Sequence, residues 1–273
     1  MKHIKLENLA LDHSVPKNKV YSYPLFFIHG AGGTSKYWKN YLLFFAEAGW
    51  ESYAINLRGH HPSDREEALS QVTMEDYLAD VEKAIIELNL LDCVLIGHSL
   101  GGLLAQKTAS AFQSIKALVT IASAPPLGVF MEMHNDLPYS ESMMNTMWGL
   151  INIKPVKPTF SIAEKTVLNN IEPDERKKVF SMFVAESLLV GYQVAQGFEV
   201  NPERIKCPKL IIGCCRDIAA PESMQKSIAE FLRADYISYA QFAHLPMLER
   251  GWEQSADDIG NWIRRNAGKQ APE

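Results

Sequence analysis

Short apolar runs alternate with amphipathic stretches along most of the chain, the pattern of βαβ units that feed a parallel sheet. Leu25-Phe26-Phe27-Ile28 is apolar at every position, as in a strand buried on both faces, and it ends at His29-Gly30. A helical stretch follows over 35–48, closed by Gly49, and 52–57 reads as the next strand. Thr73 and Asp76 have the spacing of a helix N-cap and an acid that reaches back to it. Beyond them Met74, Tyr77, Leu78, Val81, Ala84, Ile85 and Leu88 recur at threes and fours and form one apolar face. Further strands are expected over 93–96, 117–122, 210–213 and 236–239, with helices over 103–112, 222–232 and 252–266.

The rhythm changes between Pro126 and Pro208, where no buried strand is evident and helical patches fall over 141–151, 162–169 and 174–196. A structureless loop of that length is rare inside a compact domain. The pattern instead predicts a helical cap over 126–204, inserted into an α/β core made of 1–125 and 205–273. A chain of 273 residues that is 47% hydrophobic and 22% charged is able to bury such a core.

With 27 basic and 32 acidic residues the net charge is −5, and no basic stripe marks a nucleic-acid partner. The first eight residues alternate polar and apolar and lack the apolar run of a secretory signal, and nothing later resembles a membrane span. These features predict a soluble, cytoplasmic protein. Cys93, Cys207, Cys214 and Cys215 show no paired CxxC spacing and read as small apolar residues, with neither a disulfide scaffold nor a metal site.

The chemistry is concentrated at three turns. The strand over 93–96 runs through Gly97-His98-Ser99-Leu100-Gly101-Gly102 directly into a helix, the context in which a G-x-S-x-G serine is held out at the top of a sheet. A serine hydroxyl needs a base to become a nucleophile, so a histidine and an acid should follow. Of the eight histidines, His244 alone follows a late strand and precedes the closing helix. Asp217, just past the strand over 210–213, is the candidate acid, with Asp235 as the structural rival. The loop His29-Gly30-Ala31-Gly32-Gly33 lets backbone approach a substrate, so the N–H of Ala31 with that of Leu100 is a candidate oxyanion hole; a tight turn alone is the simpler reading. A phosphate loop is disfavoured, because neither GxxxxGK[ST] nor GxGxxG spacing is present.

These pieces, with Leu57-Arg58-Gly59-His60, Pro221 and His244-Leu245-Pro246-Met247-Leu248-Glu249, resemble the serine hydrolases of the α/β-hydrolase superfamily over nearly the whole chain. The resemblance implies an eight-stranded, mostly parallel sheet flanked by helices, with a lid after the sixth strand. It implies Ser99 as nucleophile, His244 as base, Asp217 as acid, and Ala31 and Leu100 as oxyanion donors. Two departures stand out: His61-Pro62-Ser63 occupies a place where relatives often carry a glycine, and one extra residue precedes Asp217, which predicts a small bulge.

In the cap, Met131, Met133, Met143, Met144, Met147 and Trp148 cluster closely, and they read either as lining of a tolerant apolar pocket or as packing of the cap itself. The resulting expectation is a carboxylesterase acting on small or medium esters or lactones through an acyl-enzyme, without cofactor or metal. Other chemistry of the same fold (carbon–carbon bond hydrolase, amidase, thioesterase, hydroxynitrile lyase, perhydrolase) and a non-catalytic ligand receptor are the alternatives, since function resides in the pocket and not in the scaffold.

Overall fold

The computed structural model describes residues 1–64, 69–129 and 155–267. Its strands are β1 (Lys2–Leu6), β2 (Leu9–Ser14), β3 (Leu25–Ile28), β4 (Ser52–Asn56), β5 (Val94–His98), β6 (Ala117–Ile121), β7 (Lys209–Cys214) and β8 (Asp235–Tyr239). They form one eight-stranded sheet in the order β1-β2-β4-β3-β5-β6-β7-β8. From β4 to β8 neighbouring strands run parallel, while β2 pairs antiparallel with β1 and with β4. The helices are α1 (Lys39–Glu47), α2 (Met74–Glu87), α3 (Leu100–Ala111), α4 (Phe160–Lys165), α5 (Arg176–Ser181), α6 (Leu188–Gln196), α7 (Glu222–Leu232) and α8 (Trp252–Asn266). Among the described residues no helix is long and apolar enough to cross a membrane.

The central strands are the uninterrupted apolar runs of the sequence, and β3 is fully buried at all four positions. The hairpin β1–β2 is the element that the hydrophobic pattern did not separate from loop. Its outer strand is largely solvated and β2 carries Asp12 and His13, so neither reads as a continuous apolar run. The stretch over 35–48 is likewise not one helix. Ser35–Trp38 forms a 3₁₀ turn before α1, because the Ser35 N–H donates to Asn56 Oδ1 at 2.8 Å and its hydroxyl to Asp12 Oδ2 at 2.7 Å, tying the chain to β4 and β2.

Helix α2 begins with the anticipated capping box, Thr73 and Asp76 each accepting from the other's backbone N–H. Its buried Asp80 clamps the loop that leaves β4. Arg58 reaches Asp80 with Nε at 3.0 Å and Nη2 at 2.7 Å, its backbone N–H donates to the same carboxylate at 2.9 Å, and its Nη1 meets Asp76 at 2.9 Å. Breaking a buried, bidentate pair of this kind costs about 3–5 kcal/mol. The clamp therefore fixes the backbone that presents His60. In the same loop Ser63 donates to the Asn56 carbonyl at 2.6 Å and accepts from the Ala10 N–H at 2.8 Å, so the serine joins β2 to β4 without a glycine before it.

Helices α4, α5 and α6 all lie between β6 and β7 in the chain. The helical patch over 174–196 is two helices, not one. Met182 and Phe183 close the end of α5 with turns onto Val179 and Phe180, and before α6 Glu186 pairs with Val156 in an isolated antiparallel bridge. The helical patch over 141–151 and the residues Met131, Met133, Met143, Met144, Met147 and Trp148 lie outside the described residues.

Candidate active site

Strand β5 ends and α3 begins at Ser99, which holds φ 52° and ψ −121°. A non-glycine residue in this region stores about 1–3 kcal/mol and persists only where its surroundings over-determine it. Here the Ser99 N–H donates to the Ile121 carbonyl at 3.0 Å, and the Ser99 carbonyl accepts from Gly102 and Ala124, both at 2.9 Å. The flanking glycines are forced by contact: a Cβ on Gly97 would overlap the Gly101 carbonyl, and one on Gly101 the carbonyls of Ile28 and His29. The serine thus sits at the N-terminus of α3, where first-turn N–H groups have no intrahelical acceptors.

Asp217 and His244 meet as expected. The Nδ1–H of His244 donates to Asp217 Oδ2 at 2.8 Å, and Asp217 Oδ1 accepts from the N–H groups of Ala219 and Ala220 at 2.8 and 2.9 Å. With Nδ1 committed as a donor, Nε2 keeps the lone pair. The extra residue before Asp217 makes no bulge: Cys215 and Arg216 donate to the carbonyls of Tyr239 and Phe242, and a tight turn from Asp217 N–H to the Cys214 carbonyl follows. Asp235 stands at the start of β8, at the other end of the sheet from Asp217, and its Oδ2 accepts the indole N–H of Trp262 at 2.6 Å.

His98 joins the serine turn to the histidine loop. Its Nε2–H donates to the His244 carbonyl at 2.7 Å and the two rings lie 4.8 Å apart. Burial, with the neighbouring His244, holds His98 well below the ordinary histidine pKa, so it remains neutral. The histidine loop is also gripped from within. Glu249 accepts the N–H groups of Ala243 and Leu245, on either side of His244, at 2.9 and 3.0 Å, and the Asn170 amide bonds the same carboxylate. Neither His98 nor Glu249 was distinguishable as a positioning group from the sequence, although both lie inside the stretches that carry the resemblance.

At the end of β3, His29 accepts the Leu57 N–H on Nε2 at 3.2 Å and donates from Nδ1 to the Gly30 carbonyl at 2.8 Å, while Gly33 N–H closes a turn onto Gly30 at 3.0 Å. Ala31 is exposed between them. The segment between α5 and α6 approaches the loop here: Gly32 donates to Glu186 Oε2 at 2.9 Å and accepts from Val184 N–H at 2.9 Å. A cavity of about 250 Å³ opens beside Ala31, walled by Val156, Ile162, Val167, Phe183 and Leu188. The cavity reaches the loop of Ala31 and Gly32 but is not lined by Ser99, Asp217 or His244, and a larger groove of about 850 Å³ past Lys39, Glu175 and Glu253 reaches none of these residues.

Burial would lower the pKa of His244, but the Asp217 carboxylate outweighs it and the net shift is upward from 6.5. The imidazolium has no lone pair with which to take a proton. Activity that depends on this base should therefore rise with pH through a midpoint above 6.5, and a kcat/KM profile measured from pH 5 to 9 checks it. A midpoint below 6.5 contradicts the assignment.

The family model for the alpha/beta hydrolase fold matches residues 23–250. Epoxide hydrolase 3 of Mus musculus is 22% identical over 224 residues, covering 75% of this chain and 60% of its own length. The chain spans 52–60% of the length of the curated relatives that it matches first. Among solved structures, an esterase from Thermogutta terrifontis superposes with a TM-score of 0.75 at 19% identity, covering 97% of this chain and 99% of that one. The enol-lactonase of Burkholderia xenovorans LB400 gives 0.72 at 16% identity, covering 96% and 100%. At these identities the likeness to the solved structures is one of fold.

Proposed function

The chain belongs to the alpha/beta hydrolase fold family, and from that premise we propose that it is a serine hydrolase cleaving small to medium carboxylic esters, lactones included. The observation that carries the reading is the 2.8 Å contact between His244 Nδ1 and Asp217, on a loop bonded through His98 to the strained turn of Ser99. Ser99 Oγ attacks the ester carbonyl as His244 Nε2 takes its proton, and the N–H groups of Ala31 and Leu100 receive the oxyanion. Collapse of the tetrahedral intermediate breaks the C–O bond, and His244 returns the proton to the leaving alkoxide. Water, deprotonated by His244, then attacks the acyl-serine and releases the acid, which restores Ser99. Asp217 holds the imidazole in the productive tautomer and stabilises its charged form. Four free thiols favour a reducing, cytoplasmic setting.

The cavity beside Ala31 is mainly apolar and, at about 250 Å³, lies just below the usual size of ligand sites, which favours a short acyl group held between cap and core. Gly191 on α6 lines it, and a Cβ added there meets nothing within 4 Å. Gly191→Leu should fill the space without backbone strain. Excluding some 60–80 Å² of substrate surface costs about 1.5–2 kcal/mol, an expected loss of roughly 10- to 30-fold in kcat/KM for an octanoate ester. Acetate should change less than about threefold. A p-nitrophenyl ester series from acetate to octanoate, run on both proteins, tests the function and the pocket together. No turnover of any ester rejects the function, and a loss equal at every chain length removes this cavity from the substrate.

A further inference from the structure

Four hydrogen-bond donors converge on a single carboxylate of the cap. Glu186 Oε2 accepts from Gly32 N–H at 2.9 Å and faces His60 Nε2 at 3.2 Å, while Oε1 accepts the Tyr77 hydroxyl at 2.5 Å and Ser187 N–H at 2.7 Å. Three of these partners come from separate parts of the chain, the loop after β3, the loop after β4 and α2, and the fourth, Ser187, is the next residue along. Gly32 is held on its other side as well, by Val184 N–H on its carbonyl. The cap segment 184–186 therefore fixes both polar groups of the residue that follows Ala31.

His60 has no exposed surface, and both of its ring nitrogens face acceptors. Nδ1 lies 3.0 Å from the Arg58 carbonyl and Nε2 3.2 Å from the Glu186 carboxylate, so only the imidazolium, with a proton on each nitrogen, satisfies both. The other groups around it leave this assignment intact. The His29 ring is 4.8 Å away and burial holds it neutral, down to about 3; the Tyr77 ring meets His60 edge-on at 5.6 Å; and Asp80 adds a more distant negative charge. Burial disfavours the charged form of both partners. Their mutual attraction overcomes it, raising His60 above 6.5 and, with the Tyr77 and Gly32 donors, holding Glu186 down to about 2.

We propose that Glu186 is a positioning residue of the reaction: from the cap it sets the Ala31–Gly32 backbone that receives the oxyanion, and its ion pair with His60 locks cap and loop into that geometry. The proposal rests on the serine-hydrolase reading above. Each oxygen of the carboxylate accepts one backbone N–H, from Gly32 on Oε2 and from Ser187 on Oε1, so in Glu186→Gln the amide NH₂ must confront one of them whichever way it is turned.

The test is Glu186→Gln, assayed with a p-nitrophenyl ester and with an aryl boronic acid as a tetrahedral analogue. Displacing one oxyanion donor, rather than deleting it, should lower kcat about 10- to 100-fold with KM within threefold. The boronate inhibition constant should rise by the same factor as kcat/KM falls, a correspondence that a general loss of packing does not produce. A kcat within twofold of wild type, or a fall in kcat with an unchanged boronate constant, overturns the proposal. Should that variant fail to fold, His60→Gln leaves the carboxylate in place. In the wild type, loss of the His60 proton should bring an alkaline decline in kcat, and His60→Gln should be several-fold slower with that decline gone. A His60→Gln enzyme with normal kcat and an unchanged alkaline decline overturns it equally. If Ser99→Ala keeps full turnover, the serine-hydrolase reading itself falls. If Ser99→Ala is inactive while Glu186→Gln matches wild type, only the role of Glu186 falls.

Discussion

Ser99→Ala should lose ester turnover by at least about 10³-fold and as much as about 10⁶-fold, together with all labelling by a fluorophosphonate probe. The fold should survive. Alanine keeps the Cβ of serine, so the φ of 52° is no more strained than before, and the backbone bonds of residue 99 to Ile121, Gly102 and Ala124 do not involve Oγ. Melting within a few degrees of wild type, measured by circular dichroism, separates loss of the nucleophile from loss of structure. His244→Gln should reach a similar floor, and the double variant should be no slower than either single one, because nucleophile and base act as one unit. Probe labelling of Ser99→Ala at the wild-type rate would falsify the assignment of this hydroxyl.

Asp217→Asn should lower kcat by roughly 10⁴-fold with little change in KM. The reason is visible in the partners of the carboxylate. Oδ1 accepts two backbone N–H groups, from Ala219 and Ala220, and an asparagine can satisfy them only by placing its carbonyl oxygen there. Its NH₂ must then face His244 Nδ1, which becomes an acceptor, and the ring proton moves to Nε2. The imidazole is left well placed and in the wrong tautomer for taking a proton from Ser99. An Asp217→Asn enzyme within tenfold of the wild-type rate would transfer the acid role elsewhere. Asp235 is a poor candidate, since it is engaged by Trp262 at the far end of β8.

How far this site was legible in the sequence follows from how local each signal is. The turn of Ser99 is written in six consecutive residues, because each of its glycines answers a contact within that turn or with the adjoining strand end. Asp217 and His244 were recognisable from their places after late strands, since a parallel sheet brings successive strand ends to one rim. Glu186 was hidden for the opposite reason. Its neighbours fit one continuous helical pattern over 174–196, and only tertiary contacts to Gly32, His60, Tyr77 and Val156 break that helix and turn the carboxylate inward. The hairpin β1–β2 escaped because a half-solvated edge pair has no apolar run to announce it.

The steric closure of the serine turn also bears on how this protein can be diversified. Side chains at 97, 101 and 102 would all run into occupied space, and Gly30 is blocked in the same way by Ser99 and His98. A saturation library aimed at these positions would consist almost wholly of dead clones, whatever substrate it was screened against. Variation is open instead at the wall of the cavity beside Ala31, where Gly191 faces empty space and Ile162, Val167 and Leu188 contribute only bulk. New selectivity in this scaffold is therefore a problem of recarving the roof over a floor that admits no change.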